Sequence, residues 1–132
     1  MTLVLANVLA SVQRLFLDSS LFIYAIERNP TYVDRAEAVF QRIDSGLLEG
    51  FSSVVTLTEV LIVPLRTKNT LIEKEYQAIL TNEKYFSLLP IDRRTAEKAA
   101  ELRSTYNLRT PDAFQLAAAI QSNCDAFLTN DR

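Results

Sequence analysis

Histidine and tryptophan are absent from the 132-residue sequence, which also contains only one cysteine and two glycines. Without histidine, the chain cannot form a Ser-His-Asp or Cys-His catalytic group or a His-ligated zinc site. The lone Cys124 excludes a disulfide framework and a CxxC site. Because Gly46 and Gly50 are the only glycines, neither a phosphate-binding P-loop nor a GxGxxG dinucleotide turn is present. The chemistry that remains is that of carboxylates with hard metal ions.

A strong excess of charge of either sign is also missing, since the net charge is −2. No overall basic field attracts a polyanion, so a nucleic acid would have to be held by local basic groups. Hydrophobic residues make up 48% of the chain and charged residues 23%, which suits one globular domain. No uncharged segment reaches the roughly 20 residues that a membrane span requires, and we expect a cytoplasmic protein without membrane contact.

The first residues, 1–13, are apolar and carry no Lys or Arg before the apolar run, which disfavours a secretory signal. We interpret them as an N-terminal extension, either a short helix packed on the domain or residues that precede the true start. No linker, repeat or low-complexity tract interrupts residues 14–132, which we interpret as a single domain.

Short apolar runs alternate with segments of helical periodicity along the whole domain. The runs predict strands at 14–18, 51–55, 86–91 and 126–129. Helical spacing predicts helices at 19–27, 33–43, 71–80, 93–106 and 108–120, with a further helix that opens at Thr56 and is kinked or ended by Pro64. We also expect Asp92 to be an N-cap and Gly46 to end a helix. This alternation predicts an α/β fold, a three-layer α/β/α sandwich with a central parallel sheet.

Four acidic residues follow predicted strands or begin predicted helices. Asp18 ends the first strand, Glu59 lies in the first turn after the second, Asp112 starts an apolar helix, and Asp131 follows the last strand. In a parallel sheet these positions share the carboxyl edge, where ligands bind at the point at which the strand order reverses. We therefore expect the four carboxylates to converge.

Each acid also has a simpler explanation. Asp18 suits an N-cap, Thr56 with Glu59 fits a capping box, Asp112 suits the positive end of a helix dipole, and Asp131 suits a turn. Taken together, four acids at one edge favour a metal site, because a cation offsets the repulsion between neighbouring carboxylates. Mg²⁺ or Mn²⁺ at such a site supports phosphodiester hydrolysis without histidine.

Four segments carry a family resemblance: "LFLDSS", "TLTEVL", "LRTPDAFQLAAAI" and "FLTND". In this order and spacing they resemble the PIN-domain ribonucleases, especially the VapC-type toxins of bacterial toxin-antitoxin pairs. The likeness spans Arg14 to Asp131. It implies a PIN-like nuclease domain over residues 14–132 that lacks the closing strand and helix which PIN domains usually add. Gln115 stands where the related toxins often have His.

The resemblance also implies roles for individual residues. It makes Mg²⁺ or Mn²⁺ the cofactor and assigns catalytic metal binding to Asp18, Glu59, Asp112 and Asp131. Three hydroxyl groups become candidates for orienting these carboxylates, those of Ser19, Ser20 and Thr129. The implied activity is endonucleolytic cleavage of RNA by a homodimer that a cognate antitoxin holds inactive.

Two contacts with partners are expected at this site. Arg109, three residues before Asp112, is the best candidate for a contact with an RNA phosphate. An acidic cleft that binds Mg²⁺ also accepts a guanidinium group, so we expect the antitoxin to insert an Arg among the carboxylates. Leu21, Ile62 and Leu65 would give the antitoxin apolar contacts unless they belong to the core.

Two other classes of function compete with this interpretation. Phosphoryl transfer to aspartate, as in receiver or haloacid-dehalogenase folds, calls for a DxD after the first strand or a Lys after a late strand. The segments "DSS" and "TND" contain neither. A non-catalytic PIN-like module that engages RNA or a protein partner remains the alternative, although the presence of all four acids favours an enzyme.

Overall fold

The structure is a computed structural model that describes residues 11–129. Its strands are β1 (Arg14–Leu17), β2 (Glu49–Ser53), β3 (Phe86–Leu89) and β4 (Ala126–Leu128). They form one sheet in the order β3-β2-β1-β4, in which all neighbours are parallel. The helices are α1 (Ser19–Ile26), α2 (Val33–Asp44), α3 (Val54–Arg66), α4 (Thr70–Leu80), α5 (Arg93–Thr105) and α6 (Thr110–Gln121). The predicted parallel α/β architecture is confirmed.

The sheet is buried on both faces, as all-parallel sheets require. Successive side chains of a strand point to opposite faces, and β1 shows this directly. Leu15 and Leu17 pack into a large core built from the first four helices, while Phe16 packs with Phe51 on the other face. The continuous apolar run "LFL" therefore serves two separate cores, one on each side of the sheet.

Small side chains bring α6 close to the second face of the sheet. Ala118 and Ala119 of α6 pack against Phe16, whose ring stacks on Phe127 of β4 with 5.0 Å between ring centroids. On its opposite side α6 packs against α5 through a further cluster of buried residues, Ala99, Leu102, Ala113 and Ala117. The helix "TPDAFQLAAAI" is thus buried between the sheet and α5, which makes the three layers complete.

The boundary between β2 and α3 differs from the prediction. Strand β2 ends at Ser53, and α3 begins at Val54 rather than at Thr56. The Ser53 hydroxyl caps the helix by accepting a hydrogen bond from the Val55 amide at 3.1 Å. The two β-branched residues that suggested a strand are helical because this cap and the packing of α3 outweigh their intrinsic preference.

Other local signals behave as the sequence suggests. Asp92 caps α5, and its Oδ1 accepts a hydrogen bond from the Thr95 amide at 2.9 Å. Gly46 follows α2 with φ of +84°, a conformation that suits glycine at a helix end. The prediction that Pro64 could end its helix is wrong, since α3 continues through it to Arg66.

The N-terminal extension falls mostly outside the described residues, which begin at residue 11. Its last residues already contact the domain. Val12 packs against the larger core, and the Gln13 carbonyl accepts a hydrogen bond from the Glu49 amide at 2.8 Å. The proposed boundary at residues 13 and 14 stays a prediction.

Gly50 in β2 allows a close approach that a side chain would prevent. A Cβ atom at this position would lie 2.8 and 2.9 Å from two ring atoms of Phe86 and 3.0 Å from Ile43 Cδ1. We expect Gly50→Ala to lower the free energy of unfolding by about 1–3 kcal/mol, as overpacked cores do. Urea unfolding measures this loss. Adding Phe86→Leu should recover part of it, whereas strictly additive losses would contradict the contact.

Candidate active site

A cleft of about 240 Å³ opens at the carboxyl edge of the sheet. It lies where the strand order reverses, with β2 on one side of β1 and β4 on the other. Its lining comes from β4 and from the starts of α1, α3 and α6, and consists of Asp18, Ser19, Ser20, Glu59, Arg109, Asp112, Gln115 and Phe127. Three of the four predicted acids therefore line one cleft. The fourth, Asp131, lies outside the described residues.

Asp18 is held by hydrogen bonds on both carboxylate oxygens. It is the N-cap of α1, and Oδ1 accepts hydrogen bonds from the Ser20 amide at 3.0 Å and the Ser20 hydroxyl at 2.6 Å. The Thr129 hydroxyl donates to Oδ2. Capping thus accounts for part of this geometry, but a carboxylate can accept further bonds at each oxygen. Ser20 and Thr129 lie where hydroxyls that orient Asp18 were expected.

Glu59 lies in the second turn of α3, because the helix begins two residues earlier than predicted. The capping-box explanation for this acid is wrong, since the N-cap is Ser53. Partial burial of its carboxyl group raises the pKa of Glu59 above its ordinary value, and the nearby charges of Asp112 and Asp18 raise the pKa further. A hydrogen bond from Ser19 and the charge of Arg109 act in the opposite direction on this pKa. The pKa of Glu59 therefore depends in part on the charges of the other two acids of the cleft.

Asp112 lies in the first turn of α6, where a negative charge is favoured by the helix dipole. Its Oδ2 accepts a hydrogen bond from Arg109 Nε at 3.0 Å. The Arg109 side chain is 77% exposed, so this ion pair contributes little, on the order of 0–1 kcal/mol. The residue expected to contact RNA thus neutralises part of the acidic charge in this structure.

Sequence reasoning missed the polar contacts beneath the cleft. Gln115 is 2% exposed, and its Nε2 donates to Thr56 Oγ1 at 2.7 Å. The Ser53 hydroxyl donates to Gln115 Oε1, and the Ser52 hydroxyl donates to the Leu17 carbonyl at 2.8 Å. The sequence does contain one signal for these contacts. Two consecutive serines, Ser52 and Ser53, lie between an apolar strand and an apolar helix, and polar side chains in a buried segment need hydrogen-bond partners.

The donor set of the cleft fits a hard, hydrated cation. Its acidic ligands offer only oxygen, which suits Mg²⁺ or Mn²⁺. Within residues 11–129, no three acidic, cysteine or histidine side chains are already arranged to hold a metal ion. Mg²⁺ usually keeps several waters and needs only one or two carboxylates, so direct ligation by all three acids is not required.

The three apolar residues predicted to contact an antitoxin differ in their exposure. Leu21 is fully buried in the larger core and cannot contact an antitoxin, whereas Ile62 and Leu65 are 46% and 57% exposed.

Within the part of the chain that is described, none of the helices combines the length and the hydrophobicity that a membrane span requires. A second cleft of about 260 Å³, near Leu89 and Thr95, contains only one acid, Asp92, whose carboxylate already caps α5.

Comparisons with known proteins agree with this fold. VapC20 of Mycobacterium tuberculosis, a sarcin-ricin loop cleaving toxin, has a TM-score of 0.71 at 16% identity, over 89% of this chain and 91% of its own. FitAcB of Neisseria gonorrhoeae has a TM-score of 0.67 at 22% identity, over 89% and 87% of the two chains. A chain of VapBC2 of Rickettsia felis, solved with a DNA fragment from its promoter, has a TM-score of 0.66 at 16% identity, over 90% and 89%.

Because these sequence identities are low, the structural similarities show that the fold is shared and nothing beyond that. A comparison with curated proteins gave no match. The sequence profile of the PIN domain matches residues 15–132, which include every strand and helix described above except the first residue of β1, and all the residues that line the cleft. The chain therefore belongs to the PIN domain family.

Proposed function

We propose that this chain is a metal-dependent endoribonuclease that hydrolyses RNA phosphodiester bonds with Mg²⁺ or Mn²⁺. The observation that supports this most is the convergence of Asp18, Glu59 and Asp112 in one cleft of a PIN-domain chain. These acids come from three elements that are remote in sequence. Asp131, close behind β4 in sequence, is proposed as the fourth acid.

The residues of the cleft have separable roles in this proposal. Asp18 would hold the cation, because hydrogen bonds from Ser20 and Thr129 already fix its carboxylate. Glu59 and Asp112 would complete the negative charge that the cation neutralises. When bound, such an ion supplies Lewis acidity toward a phosphoryl oxygen and lowers the pKa of a bound water.

Arg109 is proposed to contact an RNA phosphate. Its guanidinium lies at the edge of the cleft, is largely exposed, and can bind a phosphate through two parallel hydrogen bonds. The present ion pair with Asp112 is weak enough to exchange, because both groups are accessible to water. A local cation of this kind is what a chain with net charge −2 needs to bind RNA.

We also propose that the chain is the toxin of a toxin-antitoxin pair and forms a homodimer. A chain of a toxin-antitoxin complex from Klebsiella pneumoniae has a TM-score of 0.65 at 22% identity. This similarity supports the proposal, because it shows that a protein of the same fold occurs in such a complex. The proposed antitoxin places an Arg among the carboxylates of the cleft. Exposed Ile62 and Leu65 on α3 would contribute apolar contacts to this partner.

A non-catalytic module that binds RNA or protein is the second candidate. The Arg109–Asp112 ion pair favours it, since a neutralised acid has less affinity for a cation. The two functions differ in one measurable property. A nuclease requires the metal for turnover, whereas a binding module engages its partner without cutting.

Metal binding should raise the melting temperature of the parent protein. An ion that binds only the folded state adds about 2.7 kcal/mol to stability at a hundredfold excess over its Kd. Thermal unfolding is followed while Mn²⁺ is titrated into the parent protein and Asp112→Asn. Asp92→Asn is the matched control, because this acid lies outside the cleft and Asn caps a helix about as well as Asp. Equal shifts in all three proteins would count against the site.

RNA cleavage should depend on each acid of the cleft. We expect Asp18→Asn, Glu59→Gln and Asp112→Asn to lower kcat/KM by about a hundredfold or more, above the loss usual for groups that merely support a metal ligand. Cleavage of a panel of structured RNAs with Mn²⁺ measures this effect, and circular dichroism verifies the fold. A folded variant with full activity would remove that residue from the site. RNA binding without cleavage by the parent protein would support the binding module.

Substitution of Arg109 should separate substrate binding from metal binding. We expect Arg109→Gln to raise KM for RNA about ten- to hundredfold, since a charge-assisted hydrogen bond contributes about 1.5–3 kcal/mol. Its affinity for Mn²⁺ should not fall, because the change removes a cation that competes for Asp112. Arg109→Lys keeps the charge and should recover part of the KM. If the substitution leaves KM unchanged, Arg109 is not the phosphate contact.

A further inference from the structure

A buried hydrogen-bonded bridge connects two of the elements that carry the acids. We define the Gln115 bridge as the side chains of Ser53, Thr56 and Gln115. The Gln115 amide donates to Thr56 Oγ1 at 2.7 Å and accepts a hydrogen bond from the Ser53 hydroxyl. Ser53 and Thr56 are completely buried and Gln115 is 2% exposed. The bridge thus joins the middle of α6 to the first turn of α3.

The bridge is located one helical turn from each of two acids. Gln115 follows Asp112 by three residues on α6, so the two side chains lie on the same side of that helix. Thr56 precedes Glu59 by three residues on α3, with the same consequence. Gln115 also lines the cleft itself. A displacement of α6 relative to α3 would therefore change the separation of Glu59 and Asp112.

Apolar packing alone would hold these helices less specifically. On the side that faces the sheet, α6 presents small alanines such as Ala118 and Ala119, whose apolar contacts are not directional. A side-chain amide with a donor and an acceptor satisfied by two different partners has one correct position. Ser53 also accepts a hydrogen bond from the Val55 amide, which ties the bridge to the start of α3.

We propose that Gln115 is a positioning residue that sets the separation of Glu59 and Asp112, so that both carboxylates would be available to one cation. This inference rests on the proposed metal-dependent function. It adds that the affinity for the cation depends on a residue whose amide is bonded to Thr56 and Ser53 rather than to an acid of the cleft. Groups that support metal ligands typically change metal affinity about ten- to hundredfold when they are replaced.

The test compares substitutions on both sides of the bridge. Gln115→Leu and Thr56→Val each remove the Gln115–Thr56 hydrogen bond with little change in volume, whereas Thr56→Ser keeps the hydroxyl. Thr95→Val is the matched control, because Thr95 is 3% exposed and hydrogen bonds to Asp92 and to Gln121 at the other end of α6. The Kd for Mn²⁺ is measured by calorimetry well below the melting temperature. Steady-state cleavage gives kcat and KM for RNA separately.

We expect Gln115→Leu and Thr56→Val to raise the Kd for Mn²⁺ by about ten- to hundredfold and to lower kcat, with KM for RNA nearly unchanged. The double variant should be no worse than Gln115→Leu alone, because Gln115→Leu already lacks the hydrogen bond that Thr56→Val removes. Thr56→Ser should bind Mn²⁺ more tightly than Thr56→Val, because it keeps the hydroxyl that accepts the Gln115 hydrogen bond. Thr95→Val should lower the melting temperature without changing the Kd.

Two results would overturn the inference, and each is separate from a failure of the proposed function. If the parent protein binds Mn²⁺ and the folded bridge variants bind it equally well, the bridge has only a structural role. The same conclusion follows if Thr95→Val weakens Mn²⁺ binding as much as they do, because general destabilisation is then the cause. If Gln115→Leu does not fold, the comparison of Thr56→Val with Thr56→Ser decides alone. A parent protein that neither binds Mn²⁺ nor cleaves RNA refutes the proposed function, and the inference with it.

Discussion

Repulsion between carboxylates at the carboxyl edge of the sheet is the constraint around which the cleft is built. Burial of the carboxyl group and, less strongly, the charges of Asp112 and Asp18 raise the pKa of Glu59, so the ionised form of Glu59 is disfavoured in the cleft. The fold must hold these groups near one another in spite of this cost. Arg109 offsets part of the charge, and a cation would offset more.

Hydrogen bonds from neutral groups provide the necessary positioning without adding charge. Asp18 is held by Ser20 and Thr129, which come from α1 and from the end of β4. The Gln115 bridge connects α6 with α3, below the level of the acids. Since these groups are partly or fully buried, their loss would leave unsatisfied donors and acceptors. The hydrogen bonds of Ser20, Thr129 and the Gln115 bridge therefore fix the positions of the side chains around the cleft, as apolar packing does for the cores on either side of the sheet.

Much of the architecture was predictable because its signals are local. The spacing of Val33, Ala36 and Val39 indicates one buried helix face, and Asp92 marks the start of α5. The start of α3 was predicted wrongly because two valines prefer strands in isolation, while the Ser53 cap acts only once β2 and α3 meet. For Leu21, the core and a partner surface were both open predictions, because spacing cannot show which neighbours cover a residue.

By itself, the sequence excluded several classes of site and determined the order of the elements. The absence of histidine excludes His-based catalytic groups and His-ligated zinc, and the alternation of strands and helices specifies a parallel sheet. Only the tertiary structure decided that Asp18, Glu59 and Asp112 line one cleft, that Arg109 pairs with Asp112, and that Gln115 is buried against Thr56. The physical reason is that these contacts depend on the strand order and on how α3 and α6 approach each other. Such long-range geometry is set by the packing of the whole chain, which no local pattern encodes.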